Sequence, residues 1–162
     1  MCRSGAMSGL TAATGMDALS HALEAIWNRH ANPISDALAV SAACKVLTAL
    51  PVVLQDPANA QARSALSLAS LEAGFAFSQT RTALAHALSY AVTLEQGTPH
   101  GLACAMWLPA AWALAQARVV ERVSGAAASA VRACFHRHLW LGGCRRGRNS
   151  RSVPLGCRAG KR

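Results

Sequence analysis

The sequence has no sustained alternation of polar and β-branched residues, no internal repeat and no Cys-x-x-Cys pair. Each absence removes a class of structure. Without period-two alternation there is no pattern for a half-buried sheet. The cysteines of the first 120 residues, Cys2, Cys44 and Cys104, stand apart and match no structural-zinc spacing. Arg3 is followed by no apolar core of a signal peptide within Met1–Gly9, so the expected compartment is the cytoplasm and the expected cysteine state is the free thiol. Residues 96–117 carry no charged side chain, but their apolar part is short, is opened by Gly97, Pro99 and His100 and is interrupted by Pro109. That stretch is expected to be a buried core helix, and no membrane association is expected.

Charge is the other scarcity, and it divides the chain. Six basic residues balance six acidic ones over residues 1–120. Residues 121–162 hold ten basic residues against Glu121 alone, so the whole formal charge of +9 belongs to them. The first part is a neutral, alanine-rich body of domain size. The second, ending in Arg145-Arg-Gly-Arg-Asn-Ser-Arg151 and onward to Arg162, has no periodicity and is expected to be disordered.

What remains is helical. Leu19, Leu23 and Ile26 form an apolar stripe, which predicts a first helix over about 16–30 with Thr14 or Ser8 as its cap. Asn32-Pro33 ends it and opens a second helix carrying Leu38, Ala42, Val46 and Leu50 and stopping at Pro51. Further helices are expected over about 57–77, 80–90 and 102–118, the last kinked or interrupted at Pro109. The expected fold is an all-α helical bundle.

The polar residues of this body single out one constellation. Asp17 and His21 are four apart, so one helix face carries both. His86 lies in a later helical run and His100 just past a Gly-Thr-Pro break. One carboxylate and three imidazoles suit Zn²⁺ or Fe²⁺, and such a site leaves a position for substrate. The bland alternative is a helical interaction module in which the four are ordinary core or surface polar groups.

The wording around these residues is specific. Gly15-Met-Asp-Ala-Leu-Ser-His-Ala-Leu-Glu-Ala25, Asn32-Pro-Ile-Ser-Asp-Ala-Leu-Ala39, Gly74-Phe-Ala-Phe-Ser-Gln-Thr-Arg-Thr-Ala-Leu-Ala-His86 and Gly97-Thr-Pro-His-Gly-Leu-Ala-Cys104 resemble the iron-containing (group III) alcohol dehydrogenases over about residues 10–117. The resemblance implies the helical C-terminal metal domain of that family, with Asp17, His21, His86 and His100 as ligands of Fe²⁺ or Zn²⁺. It implies NAD(P)H-dependent reduction of a small aldehyde to an alcohol. Thr80-Arg-Thr-Ala-Leu-Ala-His-Ala-Leu-Ser-Tyr90 is most similar to members that reduce phosphonoacetaldehyde. There Tyr90 stands where many relatives carry a further His in a proton relay, and Arg81 is placed to meet an anionic head group.

The family's NAD(P) domain opens on a glycine-rich turn, and no such turn between a strand and a helix occurs in these 162 residues. The expected organisation is therefore a non-family leader over 1–9, a partial metal-binding domain over 10–120 and a basic, disordered or out-of-frame tail over 121–162. Such a chain reads as a fragment, inactive alone and prone to self-association. Two further readings concern the tail. Its charge would bind polyanions nonspecifically, with no specific nucleic-acid partner. Cys134, His136, His138 and Cys144 form a cluster whose spacing fits no common zinc site.

Overall fold

A computed structural model of the chain describes residues 3–122. The disorder expected of the tail and the Cys134–Cys144 cluster lie outside the described residues. Five helices follow in order: α1 (Arg3–Trp27), α2 (Pro33–Gln55), α3 (Ala60–Thr80), α4 (Leu84–Gln96) and α5 (His100–Arg122). Among the described residues there is no strand, and the fold is all-α as the sequence implies.

Alanine explains the packing. Leu19, Leu23 and Ile26 of α1 are at most 3 % exposed. They meet Ala39, Ala42, Ala43 and Val46 of α2, Ala69, Ala73 and Ala76 of α3, and Leu108 and Ala111 of α5. Small side chains on the facing helices let the axes approach closely and the larger α1 residues fill what remains. α1 is consequently the centre of the bundle, in contact with all four other helices. A half-buried ion pair ties α2 to α3, with Lys45 Nζ 2.7 and 2.8 Å from the two carboxylate oxygens of Glu72. α2 is also long and apolar enough to cross a membrane, yet its Ala39, Ala42, Ala43 and Val46 face is spent on the core.

Several boundaries differ from those expected. α1 starts at Arg3 and runs through the stretch expected to be a leader. Thr14 does not cap it; its hydroxyl donates back to the Leu10 carbonyl at 2.9 Å, inside the helix. α1 stops at Trp27 because Asn28 turns the chain, its side-chain oxygen accepting from the His30 amide at 3.0 Å. α2 passes through Pro51 to Gln55. Pro51 is exposed, so water can reach the carbonyl that loses its donor, and continuing the helix buries Val53 to 1 % exposure. Here tertiary burial outweighs the local break. α3 starts at Ala60, where the Asn59 side chain accepts from the Ala62 amide at 2.9 Å. Asn32 caps α2, accepting from Ile34 and Ser35 amides at 3.0 Å each while Ser35 Oγ accepts from the Asn32 amide.

The chain then makes two short turns that matter for function. Residues 81–83 join α3 to α4, and Gly97, at φ 66°, closes α4 in the left-handed region before Pro99 opens α5. Amides of Leu102 and Ala103 donate to the Pro99 carbonyl at 2.9 and 3.0 Å, which seats His100 at the very start of α5.

Candidate metal centre

Asp17, His21 and Glu24 recur at spacings of four and three along α1, so all three line one face. Against that face lie the start of α4, with His86, and the start of α5, with His100 and, one turn on, Cys104. The approach of α5 depends on Gly101. A Cβ there would run into the Ala13 carbonyl oxygen and stand 2.7 Å from Asp17 Cβ and 2.9 Å from its amide nitrogen. No larger residue lets His100 come this close to Asp17.

Donor atoms of Asp17, His86, His100 and Cys104 all lie within 4.8 Å of one another. Asp17 Oδ1 is the hub, 3.6 Å from His86 Nε2 and 3.9 Å from His100 Nε2. His100 Nε2 is in turn 3.6 Å from Cys104 Sγ. His21 stands at the edge of this group. Its Nδ1 is 3.8 Å from Asp17 Oδ2, and its ring is stacked between Phe77 and His86 at centroid distances of 4.2 and 4.4 Å. Tyr90 lies along the exposed side, its ring 5.9 Å from that of His100. Arg81 is exposed on the turn before α4.

Sequence reasoning misses two members. Cys104 reads as an isolated thiol, although its i+4 spacing from His100 puts both on one face of α5. Glu24 gives no signal in the sequence because its partners are 59 to 62 residues away.

The electrostatics follow from burial of opposite charges. Burial lowers the pKa of His86, but Asp17 on one side and Glu24 on the other outweigh it and lift the imidazole to about 9. Burial raises Asp17, and the surrounding histidines, His86 foremost, more than cancel this and hold it below the usual carboxylate value. His21 is held below the ordinary imidazole value by burial, against the pull of Asp17. Burial pushes the Cys104 thiol up.

A metal ion fits this arrangement on one structural ground. Asp17 Oδ1 and His86 Nε2 are both buried and neither has a hydrogen-bond partner. At 3.6 Å they are too far apart to bond each other. Buried polar atoms are nearly always partnered, so two orphans facing one space call for a shared ligand. Bonds of about 2.0–2.3 Å to a single ion put its donors within about 4.5 Å of each other, the scale of this cluster.

Comparison with known proteins places the chain. The profile of the Fe-containing alcohol dehydrogenase family, C-terminal, matches residues 11–136, and the chain belongs to that family. It is 41 % identical over 105 residues to 1,3-propanediol dehydrogenase of Klebsiella pneumoniae, a match that covers 65 % of this chain and 27 % of that relative. The fold superposes on the iron-containing alcohol dehydrogenase of Thermotoga maritima with a TM-score of 0.72 at 37 % identity, covering 83 % of this chain and 35 % of that one. It also matches sulfoacetaldehyde reductase of Bifidobacterium kashiwanohense, crystallised with NAD⁺, at a TM-score of 0.68 and 32 % identity, covering 85 % of this chain and 39 % of that one. The chain thus spans about a quarter of the length of the curated relatives it matches.

Proposed function

We propose that this chain is the metal-binding portion of an oxidoreductase acting on a small alcohol or aldehyde, with Asp17, His21, His86 and His100 as the ligands of Fe²⁺ or Zn²⁺. The observation that carries the reading is the pair of orphaned buried atoms, Asp17 Oδ1 and His86 Nε2, aimed at one space beside His100. A divalent ion bound there supplies Lewis acidity, polarising a carbonyl or stabilising an alkoxide.

The chain's own residues define the rest. Asp17 brings the negative charge that neutralises part of the ion, and it stays ionised because three histidines surround it. His21, stacked on His86 and Phe77, cannot swing away without exposing apolar ring surface. His100 is the most exposed of the four, its side chain at 39 %, so the approach for a small substrate is on its side. Tyr90 stands on that side, and its hydroxyl is proposed to donate a hydrogen bond to the substrate oxygen or to pass on a proton. Arg81 is proposed to meet an anionic head group, phosphonoacetaldehyde being the candidate that the wording of 80–90 supports. The sulfoacetaldehyde reductase among the similar structures acts on another aldehyde with an anionic end. A reducing cytoplasm suits the two described cysteines, Cys44 and Cys104, both free thiols.

Hydride transfer needs the nicotinamide held about 3–3.5 Å from the carbonyl carbon, and most of that positioning comes from cofactor binding. No glycine-rich turn between strand and helix occurs among the described residues, and these are proposed to bind metal without oxidising NAD(P)H.

The test is thermal unfolding with and without Zn²⁺ or Fe²⁺. An ion at a hundred times its Kd stabilises the native state by about 2.7 kcal/mol. The wild-type chain is expected to gain stability with one ion per chain and His86→Ala to gain none, while neither consumes NAD(P)H with small aldehydes. Equal stabilisation of the variant would contradict the ligand assignment, and metal-dependent turnover by this chain alone would contradict the partial-site reading.

A further inference from the structure

Glu24 is the anomaly of this centre. It is fully buried at 0 % exposure, yet among the described residues its one basic partner in salt-bridge reach is His86. A carboxylate so placed is costly unless both of its oxygens are hydrogen-bonded. Three donors do this. The Ala83 amide donates to Oε2 at 2.7 Å, the Ala85 amide to Oε1 at 2.5 Å, and His86 Nδ1 lies 2.6 Å from Oε2.

These donors are not incidental. Ala83 occupies the N-cap of α4 but has no side chain able to cap it, so the first-turn amides of α4 have no local acceptor. Glu24 of α1 provides that acceptor from across the bundle. The turn it grips is strained. Arg81 sits at φ 71° and ψ 174°, a combination that side-chain-bearing residues avoid. Such a conformation persists only where surrounding contacts over-determine it. The Arg81 amide donates to the Phe77 carbonyl at 2.6 Å, its carbonyl accepts from Thr80 Oγ1 at 3.1 Å and from the Asn28 side chain at 3.3 Å, and Glu24 holds the residues that follow.

Asp17 and Glu24 are two helical turns apart on the same face of α1, and His86 lies between them. One nitrogen of His86 therefore meets Glu24 at 2.6 Å and the other points to Asp17 at 3.6 Å. We propose that Glu24 is the positioning residue of the centre: it keeps the proton on His86 Nδ1, leaves Nε2 directed at the ion, and pins the 81–85 segment that carries the ring. A carboxylate on the far nitrogen of a ligating imidazole fixes both its orientation and its tautomer. The inference rests on the metal reading of the site only for the consequence, since the hydrogen bond itself exists without an ion.

The experiment combines ¹⁵N–¹H spectra of the histidine side chains with Zn²⁺ titration of the wild-type chain and Glu24→Gln. An amide side chain at this position keeps the volume but cannot accept from both backbone amides and the imidazole, because its nitrogen donates. Expected for wild type is a downfield, slowly exchanging His86 Nδ1–H, present with or without zinc, and zinc-induced perturbation at Nε2. In Glu24→Gln that proton should lose its downfield shift and zinc should bind about 10–100-fold more weakly, with the helical circular dichroism unchanged. A purely structural role would weaken folding and leave the Nδ1–H signal of the folded fraction in place, and that outcome overturns the proposal. If the variant does not fold, the wild-type spectrum decides: a freely exchanging Nδ1, or zinc on Nδ1, overturns it. Failure of wild type to bind zinc would instead sink the metal reading, with the Nδ1–H signal still reporting on Glu24.

Discussion

At the scale of single residues the centre is built from a carboxylate on each side of one imidazole, and its pH behaviour follows. His86 is lifted to about 9 in the metal-free chain. A group raised above its unfolded value of about 6.5 contributes stability that is complete below that pH and is lost as pH rises through 9. A metal ion must displace the same proton, so its affinity climbs over the same window, by up to about tenfold per pH unit. The two effects have opposite sign. The difference in melting temperature between zinc-loaded and metal-free chain is therefore expected to widen from pH 6.5 to 9, and a constant difference would remove His86 from the ligand set. The sequence made much of this legible. Asp17 and His21 could be put on one face from spacing alone, and the wording around His86 and His100 supplied the other two. Glu24 and Cys104 were not legible, because a buried carboxylate or thiol declares itself only through partners that the fold brings from distant positions.

At the scale of helices, the site exists because α5 crosses α1 almost backbone to backbone. Gly101 makes that possible, and Gly74 on α3 provides its control. A Cβ at 101 strikes the backbone of α1, which cannot yield as a flexible side chain can, whereas a Cβ at 74 meets nothing within 4 Å. Gly101→Ala is expected to destabilise the chain by about 1–3 kcal/mol and to carry His100 and Cys104 away from Asp17, weakening metal binding more than about tenfold. Gly74→Ala should stabilise it by about 0.5–1 kcal/mol, since glycine inside a helix gains conformational entropy on unfolding. Thermal unfolding and zinc titration of both variants check the pair; the same sign for both would mean that the approach of α5 to α1 is not what holds the centre. Helix existence and order followed from apolar spacing, but ends did not. Pro51 reads as a stop and is not one, because Val53 is buried only if α2 continues. Gly101 reads as a loop residue beside Pro99 and is instead a helix–helix contact, a distinction that depends on where α1 lies.

At the scale of the whole molecule, the clustered Asp17, His21, His86 and His100 all lie in the neutral, alanine-rich body. α1 touches every other helix and also presents Asp17, His21 and Glu24. The element that organises the core is therefore the one that organises the proposed metal centre, so loss of the centre and loss of the fold must be measured separately. The all-α bundle and the family were readable from composition, periodicity and four short motifs, while the burial that orphans Asp17 Oδ1 and His86 Nε2 required the three-dimensional arrangement. The most direct measurement of the central claim is anomalous diffraction from crystals of this chain grown with Zn²⁺ or Fe²⁺. The account predicts one ordered ion per chain, bound by Asp17, His21, His86 Nε2 and His100, with Glu24 on the far nitrogen of His86. An ordered ion held by other residues, or an empty site at saturating metal, would contradict it.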